Sequence, residues 1–193
     1  MNATPLQDEL IVLVDETGQE IGAAPKLASH HAHTPLHKAF SCYIFDAEGQ
    51  LLVTQRALAK KVWPGVWTNS VCGHPLPGET TEAAVRRRVR YETGLEVKDL
   101  AVVLPDYRYT TPPYNEIIEN EICPVYVARA ASEISLNPAE VEDCRWMIWD
   151  DYATDIQANP EKYSYWAIDQ LPQLAKSVLL TSYAHPKTKA KGS

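Results

Sequence analysis

The stretch NSVCGHP, residues 69–75, places a thiol and an imidazole two positions apart. In an extended segment, residues i and i+2 point to the same side, so Cys72 and His74 face one target. Such a pair can bind one metal ion, act as nucleophile and base, or simply belong to a tight turn. Taken alone, Cys72 is also typical of a small buried apolar side chain, and the motif by itself leaves these interpretations open.

A second group of candidate ligands is the histidine-rich segment SHHAHTPLH, residues 29–37, which holds four of the six histidines of the chain. Neutral imidazole is the commonest metal ligand in proteins, and a loop can direct two such rings towards one ion. The pattern does not decide which of these histidines point inward. A polar surface loop is the simpler interpretation of any single one.

Two glutamates form a third group. Glu119 and Glu121 are two positions apart in EIIENEICPVYV, so in a strand they lie on the same face. Because their neighbours are apolar, two buried carboxylates would need a cation, a shared proton or basic partners. Three histidines and these glutamates would form a nitrogen and oxygen site, which suits Mn²⁺, Fe²⁺ or Zn²⁺ and differs from the all-oxygen sites of Mg²⁺. The alternative is a solvent-facing edge strand.

From Gly73 the chain reads GHPLPGETTEAAVRRRVRYETGL, which resembles the phosphate-binding signature of Nudix proteins. The positions that match are Gly73, Glu79, Arg87, Val89, Glu92, Gly94 and Leu95. Two positions where the signature has acidic residues hold Arg88 and Tyr91. Nudix hydrolases use those carboxylates to hold Mg²⁺ on a diphosphate, so their loss predicts diphosphate binding without hydrolysis and leaves Glu92 as the main candidate ligand. An ordinary charged amphipathic helix is the alternative.

Longer motifs resemble the type 1 isopentenyl-diphosphate isomerase family, which has the Nudix fold. They are WPGVWTNSVCGHP (63–75), RRRVRYETG (86–94), YRY (107–109), ENEICPV (119–125) and ASHHAHTPLHKAF (28–40). The resemblance covers about residues 8–180. By position, it implies one Mn²⁺ or Zn²⁺, or Mg²⁺, held by His30, His37, His74, Glu119 and Glu121. It also implies that Glu92 and the backbone carbonyl of Cys72 hold a Mg²⁺ ion on the diphosphate.

The same resemblance implies the reaction and its groups. Isopentenyl diphosphate would be isomerised to dimethylallyl diphosphate through a tertiary carbocation, in isoprenoid biosynthesis. The implied catalytic residues are Cys72, Glu121, Tyr109 and Trp166, and the implied substrate-binding residues are Lys26, Arg56, Lys60 and Arg88. Trp166 has the alternative role of a core aromatic. The alternative functions are a Nudix-type pyrophosphohydrolase and a non-catalytic metal-binding protein.

The elements that position these residues follow from local patterns. LIVLV at 10–14 predicts a strand, and residues 37–46 with LLVTQR predict a hairpin. Residues 79–92 predict a helix that is capped by Thr80 or Thr81 and ended by Gly94. Further strands are predicted at 99–104, 106–111, 117–129 and 141–149, and helices at 150–157 and 163–180. With the resemblance, this order predicts an α/β (α+β) Nudix-like mixed sheet between helices.

Length and composition narrow the remaining possibilities. The 193 residues fit a single domain, predicted at 1–182, with a lid at about 1–35 and a disordered tail at 183–193. The net charge of −7 argues against a nucleic-acid partner. Because no membrane span or signal peptide is recognisable, we expect a cytoplasmic protein without a membrane partner that acts on a small molecule. The sequence makes no prediction of the oligomeric state.

Overall fold

The computed structural model describes residues 9–186. Within them the strands are β1 (Leu10–Val14), β2 (Glu20–Pro25), β3 (His37–Lys38), β4 (Phe40–Phe45), β5 (Leu51–Arg56), β6 (Trp67–Thr68), β7 (Val71–Gly73), β8 (Val97–Leu104), β9 (Arg108–Thr110), β10 (Asn120–Ile122), β11 (Val125–Ala130) and β12 (Val141–Met147). The α-helices are α1 (Lys26–Ser29), α2 (Thr81–Thr93), α3 (Trp149–Ala158), α4 (Tyr165–Leu174) and α5 (Val178–Ala184), with a 3₁₀ turn at Pro160–Lys162.

The strands form two mixed sheets. The five-stranded sheet has the order β2-β1-β3-β10-β9. The seven-stranded sheet has the order β12-β5-β4-β11-β8, with β6 paired to β5 and β7 paired to β4. The pairs β3–β10 and β4–β11 are parallel, and the remaining ladders are antiparallel. The predicted mixed α/β fold is therefore confirmed.

The seven-stranded sheet lies between helices. Every residue of β4 is buried because both faces of this strand are covered. Alternate side chains point to opposite faces: Tyr43 packs in an apolar cluster with Trp149 of α3, and Ile44 packs in a second cluster with Val85 of α2. Residues of α4 and α5 join the first cluster. This confirms the predicted arrangement of a sheet between helices.

Helix α2 begins and ends as its sequence predicts. The Thr80 side chain accepts a hydrogen bond from the Ala83 amide at 3.2 Å, which satisfies one free donor of the first turn. Gly94 ends the helix with a φ of 70°, and a Cβ there would lie 2.8 Å from Ser135. Both its conformation and its close neighbour require glycine at this position.

The predicted strand over 117–129 is wrong, because the chain passes from one sheet to the other within it. β10 belongs to the five-stranded sheet and β11 to the seven-stranded sheet, with Cys123 and Pro124 between them. Pro124 has no amide hydrogen and cannot continue a ladder. The predicted strand over 37–46 is interrupted in the same way at Ala39, between β3 and β4. These two parallel crossings bring the glutamate pair next to the histidine-rich segment.

Other predicted boundaries also differ from the structure. The helix expected over 163–180 is two helices, α4 and α5, each capped by a serine side chain. A disordered tail was expected from residue 183, but Tyr183 and Ala184 are buried in α5. Residues 187–193 of the expected tail lie outside the described part of the chain. β2 and α1, within the segment expected to act as a lid, were not predicted, and lid motion stays a prediction. Among residues 9–186, no helix has the length and apolarity that a membrane span requires.

Candidate active site

Three histidines and one glutamate form a compact group of metal donors. One ligand atom from each of His30, His37, His74 and Glu119 lies within 4.8 Å of all the others. Glu119 Oε2 is 3.0 Å from His30 Nε2. Glu121 borders the group, since its Oε1 lies 3.1 Å from His74 Nε2 and 3.5 Å from His37 Nε2. The structure thus brings together the five side chains that the family resemblance implies as ligands.

Both sheets supply parts of this cluster. β10 lies between β3 and β9, so Glu121 has His37 as its parallel neighbour and Tyr109 as its antiparallel neighbour. His30 directly follows α1. His74 directly follows β7, which belongs to the other sheet. Local sequence therefore places each ligand in or directly beside a short strand or helix, and the packing of the two sheets brings them together.

The free atoms of the cluster suit a cation. His30 Nδ1 donates to the Lys26 carbonyl at 2.6 Å, and His37 Nδ1 donates to the Pro35 carbonyl at 2.9 Å. A carbonyl oxygen only accepts, so each ring carries its proton on Nδ1 and keeps Nε2 available as a ligand. Within the described residues, the buried atoms His37 Nε2 and Glu119 Oε2 have no hydrogen-bond partner. A divalent cation would satisfy both.

The protonation states of the cluster also fit a metal ion. Burial lowers the pKa of His74 to about 3, so its ring is neutral, the form that binds metals. Burial opposes ionisation of Glu121, but the adjacent His37 and His74 more than compensate and hold the pKa of Glu121 well below its ordinary value. The neutral His74 ring beside the ionised Glu121 carboxylate is a pair of donors that suits a divalent cation. The chain therefore has a cluster of nitrogen and oxygen donors that could hold a divalent metal ion.

A cavity of about 320 Å³ opens beside this cluster. Of the residues proposed from the sequence, His37 is fully buried and the others line the cavity. Those lining residues are Lys26, His30, Arg56, Lys60, Cys72, His74, Arg88, Glu92, Tyr109, Glu119, Glu121 and Trp166. The other two histidines of segment 29–37, His31 and His33, are not among the ligands that the resemblance implies, and both are exposed. One chamber thus combines metal donors, basic side chains, a thiol and an indole.

Cys72 presents a protonated thiol to this chamber. It lies in β7, opposite Ser41 of β4, and its Sγ is 3.4 Å from Ser41 Oγ. The thiol donates to Asn69 Oδ1 at 3.0 Å. Burial raises the pKa of Cys72 to about 12, so the thiol keeps its proton at neutral pH. This state suits a proton carrier and argues against a thiolate nucleophile.

Trp166 is held rigidly in the first turn of α4. The Ser164 side chain caps this helix by accepting a hydrogen bond from the Ala167 amide. The indole Nε1 donates to Asn69 Oδ1 at 3.1 Å, and Trp63 packs edge-on at a ring separation of 5.6 Å. Because Trp166 is both buried and hydrogen-bonded, its ring face has a fixed direction in the cavity wall.

Three of the four basic side chains pair with carboxylates that the sequence did not indicate, whereas Arg56 donates to the backbone carbonyls of Val62 and Trp63. Lys26 pairs with Glu9 at 2.7 Å, and Lys60 donates to Glu140. Arg88 pairs with Glu140 at 3.2 Å. Nothing in the sequence around Glu9 or Glu140 distinguishes them from other acidic residues, since each meets its partner only through the tertiary fold.

Helix α2 presents fewer carboxylates to the cavity than the signature of a Nudix hydrolase predicts. Glu79 makes two hydrogen bonds of 2.8 Å with Arg87 and accepts one from the Leu76 amide, so it stabilises the preceding loop. Glu92 lines the cavity and pairs with Arg88 at 2.7 Å. A positive group thus occupies a position where the signature has a metal-binding carboxylate.

Replacing Glu140 with glutamine should weaken diphosphate binding. Burial lowers the pKa of Lys60, and the Glu140 carboxylate counteracts that effect. Without it Lys60 loses its proton more readily, so we expect the KM for a diphosphate substrate to rise about tenfold at pH 8. The difference should shrink at lower pH, because acid restores the charge of Lys60. Steady-state kinetics between pH 6 and 9 measures both effects.

The exposed neighbour Glu142 provides the matched control for that experiment. The Glu142→Gln variant removes one negative charge two positions further along the chain, in β12, and should leave KM unchanged. If the KM of the Glu140→Gln variant equals that of the unaltered chain at every pH, Glu140 has no role in holding the basic side chains.

Comparison with known proteins agrees with this fold and site. The NUDIX domain profile matches residues 35–167, so the chain belongs to the Nudix family. A solved structure from Deinococcus radiodurans has the same fold, with a TM-score of 0.67 at 20% identity, covering 86% of this chain and 98% of that one.

Curated relatives define the branch of this family. A protein of Salmonella arizonae named isopentenyl-diphosphate Delta-isomerase is 46% identical over 180 residues, 93% of this chain and 99% of the relative. A protein of Frankia alni with the same name is 48% identical over 183 residues, 95% of this chain and 91% of the relative. The chain is a member of the isopentenyl-diphosphate Delta-isomerase family.

Proposed function

We propose that this chain converts isopentenyl diphosphate into dimethylallyl diphosphate, as a step of isoprenoid biosynthesis. One observation carries the proposal: a protonated thiol and a carboxylate, Cys72 and Glu121, come from different sheets and line one cavity. Transposing a double bond requires one group that gives a proton and another that takes one. The names of the relatives support the same reaction.

The basic side chains would bind the diphosphate end of the substrate. Lys26, Arg56, Lys60 and Arg88 line the cavity, so they can neutralise a diphosphate group there. Glu92 and the backbone carbonyl of Cys72 would hold a Mg²⁺ ion on the same diphosphate. With its head group fixed, the short hydrocarbon chain reaches the thiol, the indole and Glu121.

The reaction would then consist of two proton transfers. An unactivated alkene is a weak base, so its terminal methylene accepts a proton only from a well-positioned acid. The product of that step is a tertiary cation, and loss of a proton from the neighbouring CH₂ group forms the allylic double bond. Cys72 and Glu121 would carry these protons, one at each end of the allylic system. Tyr109, the cross-strand neighbour of Glu121, would support the carboxyl group.

The cation needs stabilisation without access of water. The indole face of Trp166 could supply on the order of 2 kcal/mol in a desolvated site, which corresponds to roughly a 30-fold rate effect. Trp63 and Tyr109 pack around that indole and help to exclude water.

The metal cluster would set the acidity of Glu121. His30, His37, His74, Glu119 and Glu121 would hold one Mn²⁺ or Zn²⁺, or a Mg²⁺, in keeping with their mixed nitrogen and oxygen donors. A divalent ion held there supplies positive charge that makes a protonated Glu121 a stronger acid. We also propose a cytoplasmic enzyme that acts on a small molecule without a nucleic-acid or membrane partner, in line with its net charge of −7.

Incubation with isopentenyl diphosphate and Mg²⁺, followed by proton and phosphorus NMR, tests this function. We expect the allylic isomer to appear without inorganic phosphate, because Glu92 alone among the predicted signature carboxylates lines the cavity. A chelator should stop the reaction, and divalent metal should restore it. Release of phosphate without the allylic isomer would instead indicate a pyrophosphohydrolase, and binding without turnover would indicate a non-catalytic protein.

A further inference from the structure

Asn69 connects two of the groups proposed to act on the substrate. It lies between β6 and β7 and is fully buried. Its Oδ1 accepts a hydrogen bond from the Cys72 thiol at 3.0 Å and another from the Trp166 indole at 3.1 Å. A third comes from the Thr68 hydroxyl at 2.9 Å. A single amide oxygen therefore holds the thiol and the indole at the same point.

The orientation of this amide is fixed by its partners. Asn69 Nδ2 donates to the carbonyl oxygens of Cys42 and Val71, both at 3.0 Å. A backbone carbonyl only accepts and an indole N–H only donates, so turning the amide over would break the bonds to both carbonyls and to the indole. The strands β4 and β7 thus hold the amide, and the amide in turn holds Cys72 and Trp166.

We propose that Asn69 is a positioning residue, which fixes the Cys72 thiol and the Trp166 ring relative to each other for the isomerisation. The inference rests on the proposed function. Proton transfer to carbon and stabilisation of the resulting cation both depend on placement, and a misplacement of about 1 Å can reduce a rate about 100-fold. Because one oxygen holds both groups, any shift of the amide displaces the proton carrier and the cation-facing ring together.

The Asn69→Ala variant tests this role. We expect kcat for isopentenyl diphosphate to fall about 100-fold, with KM and metal content unchanged, because neither the diphosphate contacts nor the metal donors involve Asn69. The isosteric Asn69→Asp variant keeps an acceptor oxygen but sets its second oxygen against the Cys42 and Val71 carbonyls, so its kcat should fall as well. Steady-state kinetics and metal analysis measure these effects.

The neighbouring Ser70 provides a matched control. It is also fully buried, and its Oγ accepts from the Ile44 amide at 2.8 Å and donates to the Leu52 carbonyl at 2.6 Å. The Ser70→Ala variant loses two buried hydrogen bonds of the same loop but none to Cys72 or Trp166. We expect its melting temperature to fall on the order of 5 °C and its kcat to be kept. An equal loss of kcat in both variants would overturn the proposal.

A second measurement leaves Asn69 in place and does not depend on whether its alanine variant folds. Replacing Trp166 with 3-benzothienylalanine keeps the fused ring but exchanges the N–H group for sulfur, so the bond to Asn69 is lost. We expect kcat to fall about tenfold. An unchanged kcat, here or in the Asn69→Ala variant, would overturn the role of Asn69. Absence of product from the unsubstituted chain would contradict the proposed function instead.

Discussion

The Cys72→Ala variant is expected to lose turnover by roughly 10³-fold or more, while its metal content stays unchanged. The Cys72 thiol is the proposed proton carrier that β7 presents to the cavity, and alanine has no such proton to give. The proposed Mg²⁺ contact at this position uses the backbone carbonyl, which alanine keeps. NMR of the product and elemental analysis of the bound metal measure the two quantities on the same sample.

A neighbouring cysteine makes the control for this experiment specific. Cys123 Sγ lies 3.6 Å from Ser41 Oγ, close to the 3.4 Å of Cys72, but Cys123 does not line the cavity. The Cys123→Ala variant thus removes a buried thiol from the same hydrogen-bonded group without removing a side chain that lines the cavity. It should keep its kcat within a few-fold. Full activity of the Cys72→Ala variant would show that the double bond moves by another route.

Local sequence signals predicted elements whose ends have their own chemistry. Helix α2 is an example, because Thr80 and Gly94 satisfy its two ends without help from the rest of the chain. The predictions of continuous strands through residues 39 and 123 were wrong because no local chemistry marks the point where each strand ends. Apolar residues continue through both crossings, so the pattern gives no sign that the chain leaves one sheet and enters another.

The candidate site divides in a similar way. Residues in compact motifs, such as Cys72 and His74, were recognised because their spacing is unusual. Glu140 was not, since it meets Lys60 across 80 positions of sequence. Asn69 lies inside a recognised motif, but its role depends on contact with Trp166, 97 positions away. The family resemblance therefore implied the groups that would touch the substrate, and neither it nor the local patterns indicated Glu140 or Asn69.

The loss of acidic residues on α2, one of them replaced by Arg88, explains how a Nudix fold could bind a diphosphate without cleaving it. Arg88 is buried, and its guanidinium lies 2.7 Å from Glu92 and 3.2 Å from Glu140. A metal cluster capable of activating water would need further carboxylates where this guanidinium stands. The positive charge instead favours the diphosphate, so the chemistry can move to the hydrocarbon end of the substrate.

The Glu121→Gln variant is expected to combine two losses, and the combination identifies its role. Turnover should fall roughly 10³-fold, because glutamine cannot carry the proton. Metal affinity should fall at least about tenfold, because a neutral amide replaces a charged ligand. Activity measured against metal concentration, together with metal binding by calorimetry, determines both.

The neighbouring Glu119 separates metal binding from proton transfer. The Glu119→Gln variant should also bind metal more weakly, but excess metal should restore its activity, since the proton carrier remains. Excess metal should not restore the Glu121→Gln variant. The exposed Glu116, changed to glutamine, controls for loss of one charge from the same segment and should alter neither quantity. Unchanged metal affinity in the Glu121→Gln variant would exclude Glu121 as a ligand, and recovery of its turnover by metal would exclude it as the proton carrier.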